Sequence, residues 1–296
     1  DALELVAGLR DKSLVHATEG GLALYVSIRD FAAARLRDLG LEAAAREAHA
    51  RALGDLARRV NTWRQVLGTL PDAAAQSALR RDKENLAAAV AYARELGAAD
   101  LHAELAMTAA QLFAYSGETC VAELSHALAS LPERDSERRG LVLAARQSVH
   151  ASLGDYESSL ADLESIEALP NVPRDLALVA CVYRGIQLRH YGFPEKARDM
   201  HARAAARLAE RDAPHVAAMN DACMGRLAYD LGDFDGSRAH NERAIATANA
   251  LGDRWLAALA LANLAHLEQE LGLFERAETL LSTALERLRE MGDVYE

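Results

Sequence analysis

Residues 271–277, Leu271-Gly272-Leu273-Phe274-Glu275-Arg276-Ala277, form the turn that decides the fold. Glycine adopts the left-handed conformation that ends many helices, and the residues that follow it here suit the start of a new helix. The same kind of turn recurs four times upstream, and the sequence numbers of successive glycines differ by 37, 38, 40 and 40. The five turn glycines are Gly117, Gly154, Gly192, Gly232 and Gly272. This regular spacing indicates an internal repeat of about 40 residues.

Each turn lies between two stretches of helical length with a helical apolar period. After the turn, Asp155 and Asp233 are suited to cap the next helix, and Pro194 suits a first helical turn. A second helix-breaking segment follows each turn by about half a repeat, as in Leu131-Pro132 and Leu251-Gly252-Asp253. The pattern predicts five antiparallel helix pairs from about residue 100 onward, an all-α solenoid. A non-repeating helical bundle is the alternative, and five turns in phase count against it.

Small residues recur at paired positions in these units. Four of them precede a turn glycine by seven positions, and each is matched by an alanine further along, in the second helix of the same unit. The four pairs are Ala110 with Ala129, Gly185 with Ala204, Gly225 with Ala244, and Ala265 with Ala284. Small side chains let two antiparallel helices approach closely, so we expect Gly225 to face Ala244.

This pattern resembles the tetratricopeptide repeat, and the resemblance implies a right-handed helical solenoid. Three features depart from the repeat's usual pattern. Gln147 and Ile166 replace the small pair in the second unit. The step is nearer 40 than about 34 residues, and the usual tryptophan of the first helix is absent.

The first hundred residues follow a different pattern. Residues 1–9 form a short amphipathic stretch, and residues 13–17 and 22–27 alternate as two strands around Glu19-Gly20-Gly21, which predicts a hairpin. Residues 28–39, 41–67 and 72–96 then have helical periodicity, with breaks at Gly40 and Pro71.

Three segments of this region carry a second resemblance. They are Leu-Arg-Asp-Lys-Ser-Leu-Val at 9–15, Ile-Arg-Asp-Phe-Ala-Ala-Ala-Arg-Leu at 28–36, and Glu-Asn-Leu-Ala-Ala-Ala-Val-Ala-Tyr-Ala at 84–93. In this order, before a repeat array, they are similar to segments of large bacterial regulators of the signal-transduction ATPase class with numerous domains, including antibiotic-regulatory-protein and LuxR-type activators. The resemblance covers essentially the whole chain.

The resemblance implies three domains. Residues 1–26 would be the C-terminal part of a winged helix, residues 27–97 a helical connector, and residues 98–296 the tetratricopeptide-like array. The family's P-loop ATPase is not expected within this chain, because the sequence has no GxxxxGK[ST] motif. We therefore expect the chain to be a fragment of a longer regulator.

Charge and composition exclude several classes of protein. Residues 1–100 carry 14 basic and 14 acidic side chains, whereas residues 101–296 carry 19 basic and 30 acidic ones, so the acidic excess lies in the array. A polyanionic duplex requires a basic surface, so we expect no nucleic acid to be bound by the array. No apolar run is long enough to predict a membrane span. Cys120, Cys181 and Cys223 form no paired motif, which favours a reducing, cytoplasmic location.

The motifs of catalytic chemistry are absent from the sequence. The ten histidines form no HExxH motif or close pair, and no Gly-x-Ser-x-Gly elbow is present. The cysteines are expected to be small core residues. We therefore predict a non-catalytic protein with no cofactor and no metal.

The remaining candidate for function is the surface that one helix of each pair presents. Residues one, four and five positions after Gly185, Gly225 and Ala265 would share a concave face. The candidate binding residues there are Arg189, His190, Arg226, Tyr229, His266 and Gln269. Such side chains can clamp a peptide backbone, a carboxylate or a sugar. The alternative is that they form an ordinary solvated helix face.

Three functional hypotheses follow. The first is a sensor module of an ATPase regulator that binds a protein, a peptide or a small-molecule inducer. The second is a scaffold that docks another protein constitutively. The third is a winged-helix DNA binder with a helical tail, which the balanced charge of residues 1–100 disfavours.

Overall fold

A computed structural model of the chain describes residues 2–18, 21–60, 73–112, 116–210 and 212–290. This part of the chain contains fifteen helices and one two-stranded antiparallel sheet, so the fold is all-α with a single small hairpin. The first elements are α1 (Ala2–Asp11), β1 (Val15–Thr18), β2 (Gly21–Leu24), α2 (Val26–Asp38), α3 (Glu42–Val60), α4 (Ala73–Arg81) and α5 (Lys83–Glu95). The predicted helix pairs are α6 (Ala99–Gln111) with α7 (Gly117–Ser130), α8 (Ser136–Ser152) with α9 (Tyr156–Ala168), α10 (Arg174–His190) with α11 (Pro194–Leu208), α12 (Pro214–Asp230) with α13 (Phe234–Leu251), and α14 (Arg254–Glu270) with α15 (Phe274–Glu290).

The chain divides into two compact units. The first comprises Asp1–Gln65 and Thr69–Pro132, and the second comprises Val66–Gly68 and Glu133–Glu296. The first unit therefore holds α1 to α7 with the hairpin, and the second holds the four helix pairs from α8 to α15. The core of the second unit is rich in alanine, which allows its helices to pack closely.

The hairpin is confirmed, with Val15 paired to Leu24 and Thr18 paired to Gly21. The second strand is shorter than expected, because α2 already begins at Val26. The expected helix over residues 72–96 is wrong in one respect, since it is interrupted at Asp82. The Asp82 carboxylate accepts a hydrogen bond from Asn85 Nδ2 at 2.6 Å. Local side-chain hydrogen bonds of this kind favour a turn over a continuous helix. Residues 61–67, the end of another expected helix, lie outside the described residues.

Four of the five turn glycines behave as predicted. Gly154, Gly192, Gly232 and Gly272 all have positive φ, and Gly232 (φ +78°) shows why glycine is required at this position. Asp233 then caps α13, since its carboxylate accepts a hydrogen bond from Gly236 N at 2.9 Å. Asp155 caps α9 in the same way, and Pro194 occupies the first turn of α11.

Gly117 is the exception, because it lies in the first turn of α7 rather than at the end of α6. In the other four turns the second helix begins two residues after the glycine, so the equivalent position in this pair is Tyr115, which lies outside the described residues. The expected pair Ala110–Ala129 is wrong for the same reason. Ala129 is exposed, whereas Thr108 and Ala127, two residues earlier, are completely buried.

The predicted register of the small residues is also wrong by one helical turn. The atoms nearest to a Cβ placed on Gly225 belong to Asn241 and not to Ala244. Gly185 faces His201 in the same way, at the same separation along the chain. Each glycine therefore makes room for a large buried polar side chain on the second helix. In the preceding pair the residue equivalent to these glycines is Gln147 on α8. It accepts a hydrogen bond at 3.2 Å from Ser159 on α9, which lies one turn before the position equivalent to His201 and Asn241.

Candidate functional site

The predicted binding residues lie in the last turns of α10, α12 and α14. The two positions that stand three and two residues before a turn glycine recur once in every repeat. They are 189 and 190 on α10, 229 and 230 on α12, and 269 and 270 on α14. Hydrogen bonds link these turns from one helix pair to the next. We call the resulting set the polar row; it comprises Arg189, His190, Arg226, Tyr229, Asp230, His266 and Glu270.

Asp230 is the centre of the polar row. Its carboxylate accepts a hydrogen bond from Arg189 Nη1 at 2.7 Å, which joins α10 to α12, and another from Arg226 Nε at 3.3 Å within α12. The three side chains are 19%, 27% and 35% exposed for Arg189, Asp230 and Arg226, respectively. Both arginines are thus held in place and remain partly accessible to solvent.

Tyr229 links α12 to α14. Its hydroxyl donates a hydrogen bond to Glu270 Oε2 at 3.4 Å, and its ring meets the His266 ring edge-on with centroids 5.2 Å apart. The Arg226 guanidinium lies 5.4 Å from the centre of the Tyr229 ring. Desolvation, together with the nearby Glu270 carboxylate, raises the pKa of Tyr229. The phenol therefore remains a hydrogen-bond donor at neutral pH.

His190 extends the polar row toward α9. Its ring stacks on Tyr156, with centroids 5.6 Å apart and planes 4° from parallel. Arg189 Nη2 lies 3.1 Å from His190 Nε2, and since arginine only donates, this nitrogen accepts and the proton sits on Nδ1. Desolvation and the positive charge of Arg189 lower the pKa of His190, so the ring is neutral at neutral pH.

Five of the six predicted residues are brought together by these contacts. Gln269 is exposed on α14, and its side chain has no hydrogen bond to any described residue. Asp230, Glu270 and Tyr156 were not among the six candidates. The sequence did place Asp230 and Glu270 on the concave face, five positions after Gly225 and Ala265, although neither was chosen as a binding residue. Tyr156 lies on a second helix of a pair, where the repeat register gave no reason to look.

The electrostatics of the polar row disfavour a carboxylate, one of the three ligand types suggested by the sequence. Asp230 already pairs with both guanidinium groups, and Glu270 adds a second negative charge beside Tyr229. The two cations and two anions balance, so an acidic ligand must compete with Asp230 for the arginines. The polar row therefore offers directed hydrogen bonds and an aromatic ring rather than a net positive charge.

Two of the three cysteines are held in environments that disfavour the reactive thiolate. Cys181 is fully buried, and its thiol donates a hydrogen bond to the Met200 carbonyl at 3.4 Å. Desolvation raises the pKa of Cys181 and raises that of Cys223 to about 12, so both are protonated, unreactive thiols. The described part of the chain contains no group of three or more His, Cys, Asp or Glu side chains that could hold a metal ion.

Within the described residues, no helix combines the length and the apolar character needed to cross a bilayer.

Comparisons with known proteins support the fold. No family model and no curated protein matches the chain. Among solved structures, BtubC (BKLC) from P. vanneervenii is similar with a TM-score of 0.56 and 18% identity, over 74% of this chain and 94% of that one. A chain of the APC/C hetero-tetramer Cut9–Hcn1 is similar with a TM-score of 0.51 and 14% identity, over 73% of this chain and 42% of that one. These neighbours are helical repeat proteins of the tetratricopeptide type, and the chain described here has the same kind of fold.

Proposed function

We propose that the chain is a protein-interaction module whose polar row binds a peptide segment of a partner protein. The observation that carries this proposal is the link between successive helix pairs, in which Arg189 reaches Asp230 and Tyr229 reaches Glu270. These contacts fix side chains that could otherwise rotate freely, so less conformational entropy is lost when a ligand binds. A partly exposed tyrosine beside an arginine is typical of residues that dominate binding energy.

The chemistry of the partner follows from the charge balance of the polar row. A strongly acidic segment gains little, because Asp230 already occupies both arginines. A segment with peptide or amide groups can hydrogen-bond at the edges of the row, and an apolar or planar group can lie against Tyr229. A small-molecule inducer with these groups is an alternative ligand for the same surface.

We further propose that this binding serves a sensor role within a larger regulator of the signal-transduction ATPase class. In this proposal residues 1–26 close a winged helix, residues 27–97 connect it to the array, and residues 98–296 bind the ligand. A winged helix ends with a helix followed by a β-hairpin. The order of α1, β1 and β2 matches this and supports the assignment of residues 1–26 to a winged helix. A ligand would bias the regulator only through different affinities for its two states.

A constitutive scaffold is the second candidate. The side chains of the polar row are already paired with one another, so partner binding requires no rearrangement of the row. The sequence upstream of Asp1 in the natural gene separates the two proposals. A P-loop motif there supports the sensor, and its absence favours the scaffold.

The polar row is tested by a double variant, Arg226→Ala with Tyr229→Ala. A partner is first recovered with the immobilised chain from an extract of the source cells, then purified and titrated by calorimetry. We expect the double variant to bind it at least about tenfold more weakly, as truncation of interface anchors does. The helical signal and melting temperature should remain nearly unchanged, because both side chains are partly exposed.

The control for this experiment is Arg198→Ala. Arg198 is an exposed cation on α11, the second helix of its pair, and it lies outside the polar row. Its removal should leave the affinity unchanged. Equal affinity for the wild-type chain and the double variant would show that the partner binds elsewhere.

A further inference from the structure

The turns inside the helix pairs of the second unit each expose a large apolar side chain. The residue immediately before each turn glycine is between 39% and 51% exposed; the four are Leu153, Tyr191, Leu231 and Leu271. Tyr191 and Leu231 belong to the two middle pairs, which have a further pair packed on each side, so the ends of the chain do not account for their exposure. Phe193 is exposed in the same turn as Tyr191 and stacks on it, with ring centroids 5.7 Å apart.

A carboxylate recurs beside each of these apolar side chains. It stands four positions after the apolar residue in every turn, and it is exposed each time; the four are Glu157, Glu195, Asp235 and Glu275. Glu157, Glu195 and Glu275 form no ion pair with any described residue. We call the whole set the turn edge; it comprises these four carboxylates with Leu153, Tyr191, Phe193, Leu231 and Leu271.

The charge around the turn edge selects the class of ligand. Residues 150–158, 188–196, 228–236 and 268–276 together carry nine acidic side chains and three basic ones. A polyanion would be repelled by this excess, whereas a basic segment would be attracted to it.

The aromatic rings of the turn edge favour the same class of ligand. The Lys196 ammonium already lies 4.6 Å from the centre of the Phe193 ring, so a ring of this edge does accept a cation. The half-exposed Tyr191 ring has no cation over it among the described residues. A lysine or arginine of a ligand can therefore contact this ring and the nearby Glu195 carboxylate.

The spacing of the turns indicates the conformation of the ligand. The first helices of adjacent pairs pack on one another, α10 on α12 and α12 on α14, and packed helices lie ~8–10 Å apart. In an extended polyproline II chain every third side chain lies on the same side, ~9 Å further along. The side chains on one face of an α-helix recur about every 5.4 Å, which matches this step less well.

We propose that the turn edge is a docking surface for an extended, basic segment of a partner protein. The segment has an apolar side chain at every third position, and these side chains contact the exposed apolar residues of successive turns. Lysine or arginine residues between them pair with the carboxylates of the turn edge. The turn edge shares no residue with the polar row, and the proposal does not depend on binding at that row.

Three peptide probes test the surface. The first repeats Leu-Arg-Pro four times, since proline favours the extended form. The second has glutamate in place of every arginine, and the third has serine in place of every leucine. Binding of each probe to the full chain is measured by fluorescence anisotropy. We expect the first probe to bind at least about tenfold more tightly than either of the others.

Substitutions in the chain supply the other half of the test. Tyr191→Ser with Leu231→Ser should weaken the first probe at least about tenfold and change the melting temperature little, because both side chains are exposed. Glu195→Gln with Asp235→Asn should reduce the preference for the arginine probe over the glutamate probe. The matched control is Leu96→Ser, because Leu96 is also exposed and precedes a glycine of positive φ, but lies in the first unit. It should change nothing.

The variant Arg226→Ala with Tyr229→Ala distinguishes the turn edge from the polar row, and it should bind the first probe as the wild-type chain does. Loss of binding in this variant alone would assign the segment to the polar row and overturn the proposal. Equal binding of the three probes, or no binding of any, would also overturn it. So would a dimer, detected by sedimentation, that Tyr191→Ser with Leu231→Ser dissociates, because a second copy would then cover the turn edge.

Discussion

Gly225 shows how one residue controls the approach of two helices. A Cβ at this position would lie 2.5 Å from Asn241 Nδ2, a distance at which atoms overlap. Gly225→Leu should therefore force α12 and α13 apart and reduce the free energy of unfolding by ~1–3 kcal/mol. Thermal denaturation measures the loss. Gly8→Leu is the control, because no atom lies within 4 Å of a Cβ at Gly8, and it should change stability much less.

The burial of His201 should make the stability of the protein depend on pH. Its ring is 1% exposed, and Nδ1 donates to Asn220 Oδ1 at 2.9 Å. Burial lowers the pKa of His201, and the charges of Arg189 and His240 act in the same direction. The pKa values of His102 and His190 are also lowered. The unfolded chain therefore binds more protons than the folded chain below about pH 6.5, so stability is lost as the pH falls through that range.

The test is to compare melting temperatures at pH 7 and pH 5 for the wild-type chain and for His201→Asn. Asn241 occupies the equivalent place opposite Gly225, so asparagine fits this kind of site. The variant should show a smaller decrease between the two pH values, with the remainder due to the other two histidines. An unchanged decrease would mean that His201 does not carry the effect.

At the scale of helices, a partly buried ion pair between Arg238 and Glu268 links α13 to α14, with each carboxylate oxygen 3.2 Å from the guanidinium. Arg238→Met would leave Glu268 fully buried with Arg276, at 3.5 Å, as its remaining charged partner among the described residues. We expect a loss of about 1–3 kcal/mol in urea unfolding, because Arg276 replaces only part of the pairing that the buried carboxylate loses. The double variant Arg238→Met with Glu268→Leu should recover most of this loss.

An exposed pair provides the comparison. Arg51 and Glu47 lie on one face of α3, with side chains 69% and 38% exposed. Arg51→Met should cost less than about 0.5 kcal/mol, since exposed ion pairs contribute little. Equal losses for Arg51→Met and Arg238→Met would contradict the role assigned to burial.

The elements themselves could be predicted from sequence because their signals are local. A glycine that ends a helix and an aspartate that caps the next are neighbours in the chain, as Gly232 and Asp233 show. The same local rule failed at Gly117, because a glycine followed by a helix can also be the first residue of that helix. The hairpin was predictable for a similar reason, since its turn and its two strands are contiguous.

Contacts between helices were harder to predict. The helical period and the repeat spacing predict that Arg189 and Arg226 share one face of the array. They do not predict that both arginines pair with Asp230. The bond from Arg189 to Asp230 joins residues 41 positions apart, and it depends on how far one helix pair is shifted against the next. The register between the two helices of a single pair likewise decides that Gly225 faces Asn241 rather than Ala244. Position in the repeat was therefore predictable, whereas the partner of each side chain was not.

At the scale of the whole molecule, the second unit has its own core. It contains four helix pairs, and stacked repeats become stable once about three are present. The fragment comprising residues 133–296 should therefore remain helical and melt cooperatively when produced alone. Circular dichroism with a thermal scan measures both properties. A fragment without a cooperative transition would show that this unit depends on the rest of the chain.

The carboxylates at positions 230 and 270 bear on how an array of this kind can grow. Arg189 and Tyr229 each find an acidic partner 41 positions ahead, in Asp230 and Glu270. Suppose that a gene duplication inserted a second copy of residues 214–253. The first copy of Tyr229 would again meet a carboxylate at the same separation, that of the new Asp230, while the contact between Gly225 and Asn241 would be carried along inside each copy. The array could thus gain a whole helix pair in one genetic event. Each arginine or tyrosine donor of the polar row would still have a carboxylate acceptor in the next helix pair.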